Sequence, residues 1–281
     1  MAKCNVCHNR CNLNEGGTGL CRARGYIDDS FRCLNYGRIT SIALDPIEKK
    51  PLYLFYPGSR IISVGSYGCN LRCPFCQNHE ISYGFGKQYK DGYRYISPQE
   101  LAEIAREYVP QGNIGVAFTY NEPLVGYEYV IDAAIEVHKK GLKTVLVSNG
   151  CVTEQVAQKV IPHIDAMNID LKGFTDDYYG SFLGGDRRMV MDFISEASKK
   201  CHMEVTTLIV PTHNDSDSEI EEIASWIASL NAGRGRHEIA LHLNRYFPRF
   251  KLTDIPAPTY DKMEQLKTAA LRHIENVFVG N

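Results

Sequence analysis

From about residue 60 onward, short apolar runs rich in β-branched residues alternate with stretches of helical periodicity. Strands that alternate with helices in this way form βαβ units, whose strands pair in parallel. The predicted strands cover residues 61–64, 114–119, 143–148, 166–171, 204–210, 238–243 and 277–279. The predicted helices cover residues 98–109, 124–139, 153–161, 187–200, 216–230 and 260–273. Six main units predict an α/β fold, an open partial (β/α)6 TIM-type barrel rather than a closed eight-fold one.

The first 58 residues have a different character, because they are rich in Cys, Gly, Asn and Arg. We therefore divide the chain into a Cys-rich amino-terminal extension, residues 1–58, and a barrel domain, residues 59–281. Within the extension, residues 37–44 are predicted to form a short hairpin strand. Asp45-Pro46 and Tyr56-Pro57-Gly58 are predicted turns. At residue 97, Ser-Pro-Gln-Glu predicts a helix start with a serine cap and a glutamate that closes a capping box.

Charge and hydropathy exclude several classes of protein. Lys plus Arg number 31 and Asp plus Glu number 33, a net charge of −2, which argues against a polybasic nucleic-acid or membrane-surface protein. No apolar run approaches the roughly 18–20 residues that cross a bilayer. The first residues lack an apolar secretory core. We therefore expect a cytoplasmic protein with neither nucleic acid nor a membrane as partner.

Cysteine is the most informative residue type in this chain. There are ten cysteines, and seven of them fall into two tight groups. Reduced thiols that cluster in a cytosolic protein indicate metal binding rather than disulfides. The first group is Cys4, Cys7, Cys11 and Cys21, and the second is Cys69, Cys73 and Cys76. The isolated Cys33, Cys151 and Cys201 are interpreted as small buried side chains.

Polar segments follow the predicted strands, where parallel α/β folds place their chemistry. The first such segment is the C-x3-C-x2-C loop itself. The later segments are Thr119–Pro123, Ser148–Gly150, Asp170–Lys172, Pro211–Asp215 and His242–Arg245. We expect all of them to line one rim, with Arg245, Tyr246 and His213 facing a substrate.

The central cysteines admit two metal assignments. Structural zinc needs four protein ligands, and His79, three residues after Cys76, is available as the fourth. The other assignment is a [4Fe-4S] cluster held by three cysteines, which leaves one iron open to an outside ligand, whereas four cysteines are usual. An open metal position is typical of a reactive site. The position of the loop at the barrel rim favours the cluster.

C-x3-C-x2-C on the loop after a first barrel strand, with the aromatic Phe75 before the third cysteine, resembles the signature of the radical S-adenosylmethionine (SAM) superfamily. The resemblance implies that Cys69, Cys73 and Cys76 are the catalytic cluster ligands and that SAM chelates the open iron. It further implies reductive cleavage of SAM to methionine and a 5′-deoxyadenosyl radical, which abstracts hydrogen from a substrate.

Within that superfamily the chain is similar to the pyruvate formate-lyase-activating-enzyme group. This similarity implies that one set of residues binds SAM: Phe75, Asn121, Glu122, Ser148, Asn149, Asp170, Lys172 and His242. The chemistry is consistent, because SAM carries an ammonium suited to Glu122 and a carboxylate suited to Lys172. Phe75 is suited to pack on the adenine face.

A narrower resemblance is to the radical SAM members of the AmmeMemoRadiSam system, named for their co-occurrence with Memo-like and AMMECR-like proteins. It rests on Asp45–Leu52, Cys76-Gln77-Asn78, Asp170–Lys172 and Asn244–Pro248. It implies such proteins as partners, alongside a low-potential electron donor such as flavodoxin or ferredoxin. The substrate it implies is an unidentified small molecule or peptide.

The amino-terminal group, C-x2-C-x3-C-x9-C, supplies four thiolates, with His8 as a spare ligand. Structural zinc, an auxiliary iron centre and no metal at all remain open, in that order of preference. Two alternatives to the preferred function also remain. One is a glycyl-radical-enzyme activating enzyme, and the other is a non-catalytic zinc-ribbon α/β binding protein.

Overall fold

The computed structural model describes residues 1–83, 92–233 and 238–280. Its strands are β1 Ala2–Lys3, β2 Asn12–Leu13, β3 Arg24–Ile27, β4 Ser30–Cys33, β5 Arg38–Ile39, β6 Ser41–Pro46, β7 Arg60–Gly65, β8 Arg94–Tyr95, β9 Asn113–Phe118, β10 Lys143–Ser148, β11 Ala166–Asp170, β12 His202–Ile209, β13 Ala240–Arg245 and β14 Val277–Gly280. Its α-helices are α1 His79–Tyr83, α2 Pro98–Glu107, α3 Tyr127–Lys139, α4 Glu154–Val160, α5 Arg187–Ser198, α6 Asp217–Asn231 and α7 Tyr260–Ala270.

An eight-stranded sheet in the order β14-β13-β12-β11-β10-β9-β7-β6 forms the centre of the molecule. Neighbouring strands from β7 to β14 are parallel, and β6 pairs antiparallel with β7 at one edge. In the described ranges the edge strands β6 and β14 do not pair with each other, so the sheet stays open. The predicted partial barrel of alternating strands and helices is therefore confirmed.

Side chains of the parallel strands alternate between two buried environments. Ile62, Val116 and Leu146 belong to the large core on the helix side of the sheet. Ala117 and Val145, which alternate with them, face a smaller core inside the barrel. Both faces of the sheet are thus covered, which explains the continuous apolar character of these strands.

The helix start at residue 97 forms as predicted, with one difference. The Ser97 side chain accepts a hydrogen bond from the Glu100 amide over 3.1 Å, and Pro98 occupies the first turn. The Glu100 carboxylate pairs with Arg94 and not with the cap. The serine satisfies one of the free amides at the helix start, and this suffices to begin the helix without a complete capping box.

Residues 41–46 correct one of the predictions for the extension. A strand forms within the segment predicted at 37–44, and it pairs antiparallel with β7, but β6 runs on through Pro46 as the edge strand of the central sheet, with Asp45 opposite Ile61, so the predicted turn at Asp45-Pro46 is wrong. Leu52 then enters the barrel and is fully buried in the interior core. The predicted turn ending at Gly58 is confirmed by a bond from the Ser59 amide to the Tyr56 carbonyl. The boundary at residue 58 stays a prediction.

No helix in the described ranges has both the length and the apolar character needed to span a bilayer.

Candidate active site

The loop after β7 carries Cys69, Cys73 and Cys76 at the carboxyl edge of the sheet. It bends at Gly68, where φ is +91° and a Cβ would lie 2.4 Å from the carbonyl oxygen of Cys21. Only glycine tolerates both this φ and this close approach. The bend therefore turns the three cysteines toward the sheet rim while the amino-terminal region packs directly against the loop.

Backbone hydrogen bonds from distant segments fix the loop. The Arg72 amide donates to the Leu183 carbonyl over 2.7 Å, and the Lys251 amide donates to the Pro74 carbonyl over 2.9 Å. These partners follow β11 and β13, so the far side of the barrel helps to hold the cysteines. A loop held at both flanks is preorganised for a ligand.

A cavity of about 340 Å³ opens at this rim, a size within the usual range for small-molecule sites. The three cysteines line it, together with most of the residues predicted to bind a cofactor. These lining residues are Phe75, Asn121, Glu122, Ser148, Asn149, Asp170 and Lys172. The structure thus brings together residues that are separated by as many as 103 positions in the sequence, from Cys69 to Lys172.

Burial makes the three thiols poor acids. It raises the pKa of Cys73 to about 11 and raises those of Cys69 and Cys76 as well. Thiols of this kind stay protonated at neutral pH until a metal displaces the proton. Iron is a cation that thiolates bind tightly, and it would compensate the buried negative charge.

Glu122 is a buried carboxylate that connects the loop after β9 to the end of β10 through hydrogen bonds. Its side chain accepts hydrogen bonds from the Leu124 amide (2.9 Å), the Ser148 hydroxyl (2.7 Å) and the Asn149 amide (2.8 Å). Burial nevertheless raises its pKa to about 7, because it outweighs the three donors. A carboxylate has about four acceptor positions, so one remains for a ligand in the cavity.

Asp170 and Lys172 form an ion pair in the cavity wall. Lys172 Nζ donates to Asp170 Oδ2 over 2.9 Å, and the two side chains are 14% and 30% exposed. Burial is the largest single influence and lowers the pKa of Lys172, but the charge and hydrogen bond of Asp170 together with the charge of Cys73 outweigh it and raise that pKa overall. The ammonium therefore stays charged beside the cavity.

Two asparagines predicted to contact the cofactor also hold the loops. Asn121 Oδ1 accepts from the Ser66 amide (2.9 Å), and its Nδ2 donates to the Gly68 carbonyl (3.1 Å). Asn149 Nδ2 donates to Asn70 Oδ1 over 2.9 Å. Much of the hydrogen-bonding capacity of both amides is thus used within the protein, so their contacts position the cysteine loop.

Three aromatic residues predicted at the rim make contacts within the protein. Phe75 lines the cavity but is only 4% exposed, and its ring lies 6.1 Å from that of Phe182. The half-buried His213 stacks on Phe182 at 4.1 Å. Tyr246 is 1% exposed and donates its hydroxyl to the Leu252 carbonyl. His213 and Tyr246 do not line the cavity, which corrects the expectation that they face a substrate there.

His242 differs from its predicted role. It is 1% exposed, does not line the cavity, and donates from Nε2 to Glu204 over 2.6 Å. Glu204 also accepts from His202 Nε2 and from the amides of Tyr53 and Leu54. His242 is therefore part of a polar network that holds the backbone amides of Tyr53 and Leu54 against the sheet, and direct contact with a cofactor in this cavity is not supported.

His79 does not complete a zinc site with the central cysteines. Its ring stacks on Phe250 at 4.4 Å, and it does not line the cavity. Across the described ranges, no group of three or more His, Cys, Asp or Glu side chains is arranged around a position for one metal ion. With His79 engaged elsewhere, this loop offers three thiolates, one ligand fewer than a structural zinc site needs.

A buried hydroxyl next to the site lacks a partner. Tyr178 is 5% exposed, and its hydroxyl makes no hydrogen bond within the described residues. Burial raises its pKa well above the usual value, and the nearby Cys73 raises it further. The neighbouring Tyr179 hydroxyl, in contrast, accepts from the Lys172 amide over 2.9 Å. An orphaned buried hydroxyl is unusual, and Tyr178 lies beside the cavity without lining it.

Sequence reasoning assigned no site role to two lysines in the cavity wall. Lys49 and Lys50 line the cavity, and both donate to Asp45, over 3.2 Å and 2.9 Å. Tyr120 donates its hydroxyl to the same carboxylate over 2.8 Å. These bonds hold the pKa of Asp45 well below its usual range against the opposing effect of burial. The Lys49-Lys50 pair is the only sequence signal for this role. The sequence alone did not predict that these two lysines would line the cavity.

The amino-terminal cysteines Cys4, Cys11 and Cys21 lie close together. The Cys4 amide donates to the Cys11 carbonyl over 2.8 Å. A Cβ on Gly19 would lie 3.7 Å from the sulfur atoms of both Cys11 and Cys21. The spare ligand His8 is engaged elsewhere, with its Nε2 2.6 Å from the Gly184 carbonyl oxygen. The second metal site stays a prediction.

Comparison with known proteins identifies the relatives of this chain. Residues 63–227 match the Radical SAM superfamily. An uncharacterised protein of Methanocaldococcus jannaschii is 35% identical over 99% of this chain and 81% of its own length. The pyruvate formate-lyase-activating enzyme of Clostridium pasteurianum is 26% identical over 75% of this chain and 90% of its own length.

Solved structures support the fold. A domain of the pyruvate formate-lyase-activating enzyme from Bacteroides vulgatus aligns with a TM-score of 0.51 at 18% identity, over 59% of this chain and 99% of that one. SuiB from Streptococcus suis bound to S-adenosylmethionine aligns with a TM-score of 0.57 at 14% identity, over 76% of this chain and 48% of that one. At these identities the likeness concerns the fold alone.

Proposed function

Because this chain belongs to the radical SAM superfamily and is therefore an enzyme, we propose that Cys69, Cys73 and Cys76 hold a [4Fe-4S] cluster whose fourth iron binds SAM. When bound, this pair of groups supplies one-electron cleavage of SAM to methionine and a 5′-deoxyadenosyl radical, which abstracts hydrogen from a substrate. The observation that carries the proposal is the convergence of three cysteines, Cys73 buried and Cys69 and Cys76 half-buried, on one cavity.

The residues around the cavity would bind and orient SAM. Glu122, with one acceptor position left, would take the ammonium, and the charged Lys172 would take the carboxylate, while Asp170 keeps Lys172 in place. Phe75, Asn121, Ser148 and Asn149 line the same cavity and complete the predicted SAM site. His242 is left out of this set.

SAM cleavage tests the proposal directly. Anaerobically reconstituted protein is mixed with dithionite and SAM, and methionine and 5′-deoxyadenosine are quantified. We expect both products from the wild type and neither from Cys69→Ala, Cys73→Ala or Cys76→Ala, which lack a cluster ligand. Cys201→Ala removes a thiol that does not line the cavity and serves as the matched control. SAM cleavage by a variant in which all three cysteines are replaced by Ala would refute the proposal.

Binding of SAM separates the ligand residues from the metal residues. Glu122→Ala and Lys172→Ala should weaken SAM binding, measured by titration calorimetry without reductant, by about tenfold or more, because each removes a charge-assisted contact. Cluster iron, measured by colorimetry, should stay at the wild-type level. Loss of iron in either variant would assign that residue to the cluster rather than to SAM.

The substrate we propose is a small molecule or peptide, as expected for the AmmeMemoRadiSam group, with Memo-like and AMMECR-like proteins as partners. A glycyl-radical activating role is the second candidate, since the chain is similar to an enzyme named for that activity. Electrons would come from flavodoxin or ferredoxin in either case. Incubation with Memo-like and AMMECR-like proteins from the same organism, followed by mass spectrometry and by a search for a protein-borne glycyl radical, distinguishes the two.

A second metal at Cys4, Cys7, Cys11 and Cys21 completes the proposal, either as structural zinc or as an auxiliary iron centre. The close approach of the Cys11 and Cys21 sulfurs to Gly19 supports it. Elemental analysis of the anaerobic protein is the test. Cys11→Ser should remove one metal while the cavity cluster remains, and Cys33→Ser should remove none. Equal metal content in the Cys11→Ser variant and the wild type would exclude the second site.

A further inference from the structure

The cavity is lined by four cationic side chains, and three of them have carboxylate partners. Lys172 pairs with Asp170, while Lys49 and Lys50 share the carboxylate of Asp45. The fourth is Arg245 at the end of β13. Within the described residues, no carboxylate lies within 4.0 Å of its guanidinium. A cation at the wall of a cavity without an acidic partner is a recognition element for an anion.

Arg245 is held in one pose by its neighbours. Its Nε donates to the Pro258 carbonyl over 2.6 Å. The guanidinium lies 4.4 Å from the ring centroid of Tyr260 and 5.2 Å from that of Phe247. These contacts engage Nε and the two faces of the guanidinium plane. Nη1 and Nη2 donate no hydrogen bond within the part of the chain that the structure describes. Terminal nitrogens that are free on a fixed guanidinium suit two-point binding of an oxyanion.

The charge balance of the wall points the same way. Four cations, Lys49, Lys50, Lys172 and Arg245, stand against three carboxylates, Asp45, Asp170 and Glu122, so one positive charge is in excess. Lys49 is 67% exposed and screened by water, whereas Lys50 is almost completely buried and is paired with Asp45. The cation left without an acidic partner in the described residues is therefore Arg245, and an anionic substrate would compensate it.

We propose that Arg245 binds an oxyanion of the substrate, a carboxylate or a phosphate, through its terminal nitrogens in the cavity that the three cysteines line. This inference rests on the proposed function and narrows it, because it selects an acidic small molecule or peptide over a neutral glycine loop. The Lys50 ammonium adds long-range attraction without direct contact, since Asp45 and the Tyr120 ring already engage it.

Anion titration tests the inference without turnover. Succinate and inorganic phosphate are titrated separately, by calorimetry, into cluster-reconstituted protein saturated with SAM and free of reductant. We expect saturable binding of one of them to the wild type. Arg245→Gln should weaken it by about tenfold or more, and Arg245→Lys by less, because lysine keeps the charge but loses the planar fork. Arg249→Gln, an exposed arginine of the same loop, is the matched control and should bind as the wild type does.

The separate titrations with succinate and with phosphate identify the chemical class of the oxyanion. Binding of succinate alone assigns a carboxylate, and binding of phosphate alone assigns a phosphate. Equal affinity in Arg245→Gln and the wild type, or binding of neither anion at tens of millimolar, overturns the inference. SAM cleavage by the wild type is measured in parallel. Cleavage without Arg245-dependent anion binding refutes only the inference, and anion binding without cleavage refutes only the proposed function.

Discussion

Two buried polar clusters lie inside the same barrel, and they differ in how completely their polar groups are satisfied. In the cluster around Glu204, that carboxylate is 0% exposed and accepts four hydrogen bonds, two of them from His202 and His242. Around the cavity, the hydroxyl of Tyr178 has no partner in the described residues and Glu122 keeps an acceptor position. A closed network holds the structure together, whereas an open one is prepared for a ligand.

The two glutamates express this difference in their acidity. Both are buried, and in both burial is the strongest single influence on the pKa. Glu204 has two imidazole partners and two amides, which lower its pKa to about 2. Glu122 has three neutral donors, and its pKa rises to about 7. Two buried carboxylates therefore have pKa shifts of opposite sign, and the two imidazole donors of Glu204, which Glu122 lacks, contribute to the difference.

The largest expected effect on stability comes from opening the closed network. Glu204→Ala leaves the buried imidazole of His242, the partly buried imidazole of His202 and two amides without an acceptor, so we expect the free energy of unfolding to fall by about 3–5 kcal/mol. Urea unfolding followed by circular dichroism measures it. Glu222→Ala, on the exposed face of α6, should stay within about 0.5 kcal/mol of the wild type. Equal stability of the two variants would contradict the structural role.

The pH dependence of stability should have opposite signs at the two glutamates. The folded pKa of Glu122 is raised from 4.5 to about 7, so the folded state binds the proton more tightly and stability falls as pH rises from 4.5 to 7, by about 3 kcal/mol at most. The folded pKa of Glu204 is lowered to about 2, so its contribution is present above 4.5 and is lost as pH falls toward 2. Unfolding curves at several pH values measure both slopes.

Isosteric variants assign these slopes to their residues. Glu122→Gln should remove the decrease in stability between pH 4.5 and 7, and Glu204→Gln should remove the loss below pH 4.5. A Glu122→Gln variant with the wild-type slope would show that the carboxylate is ionised in the folded protein throughout this range.

The smallest expected effects on stability come from substitutions of the adjacent Tyr178 and Tyr179. Tyr179→Phe removes the acceptor of the Lys172 amide, and we expect a loss of about 1–3 kcal/mol. Tyr178→Phe removes a hydroxyl with no partner in the described ranges, so the protein without its cluster should be at least as stable as the wild type. Thermal unfolding of the two variants compares them. A clear loss in Tyr178→Phe would mean that its hydroxyl is satisfied inside the folded chain.

The cysteine loop and the order of the strands could be predicted from the sequence because their signals are local. Three cysteines fall within eight residues, and each strand and helix carries its own periodicity. The serine cap at residue 97 is equally local, since its partner is three positions away. Because parallel strands bring their carboxyl ends to one edge, the order of polar segments predicted most of the side chains that meet at the cavity, but not that His213, His242 and Tyr246 would pack elsewhere.

Only the tertiary structure decided the role of His242 and the use of residues 41–54. The partner of His242 is Glu204, 38 positions earlier on the neighbouring strand, and Glu204 in turn holds the backbone at Tyr53 and Leu54. The turn expected at Asp45-Pro46 gave way to an edge strand, because pairing with β7 satisfies backbone groups that a turn would leave to water. Contacts between distant segments leave no periodic trace in the sequence, so local patterns specify the elements and packing decides what each buried polar side chain does.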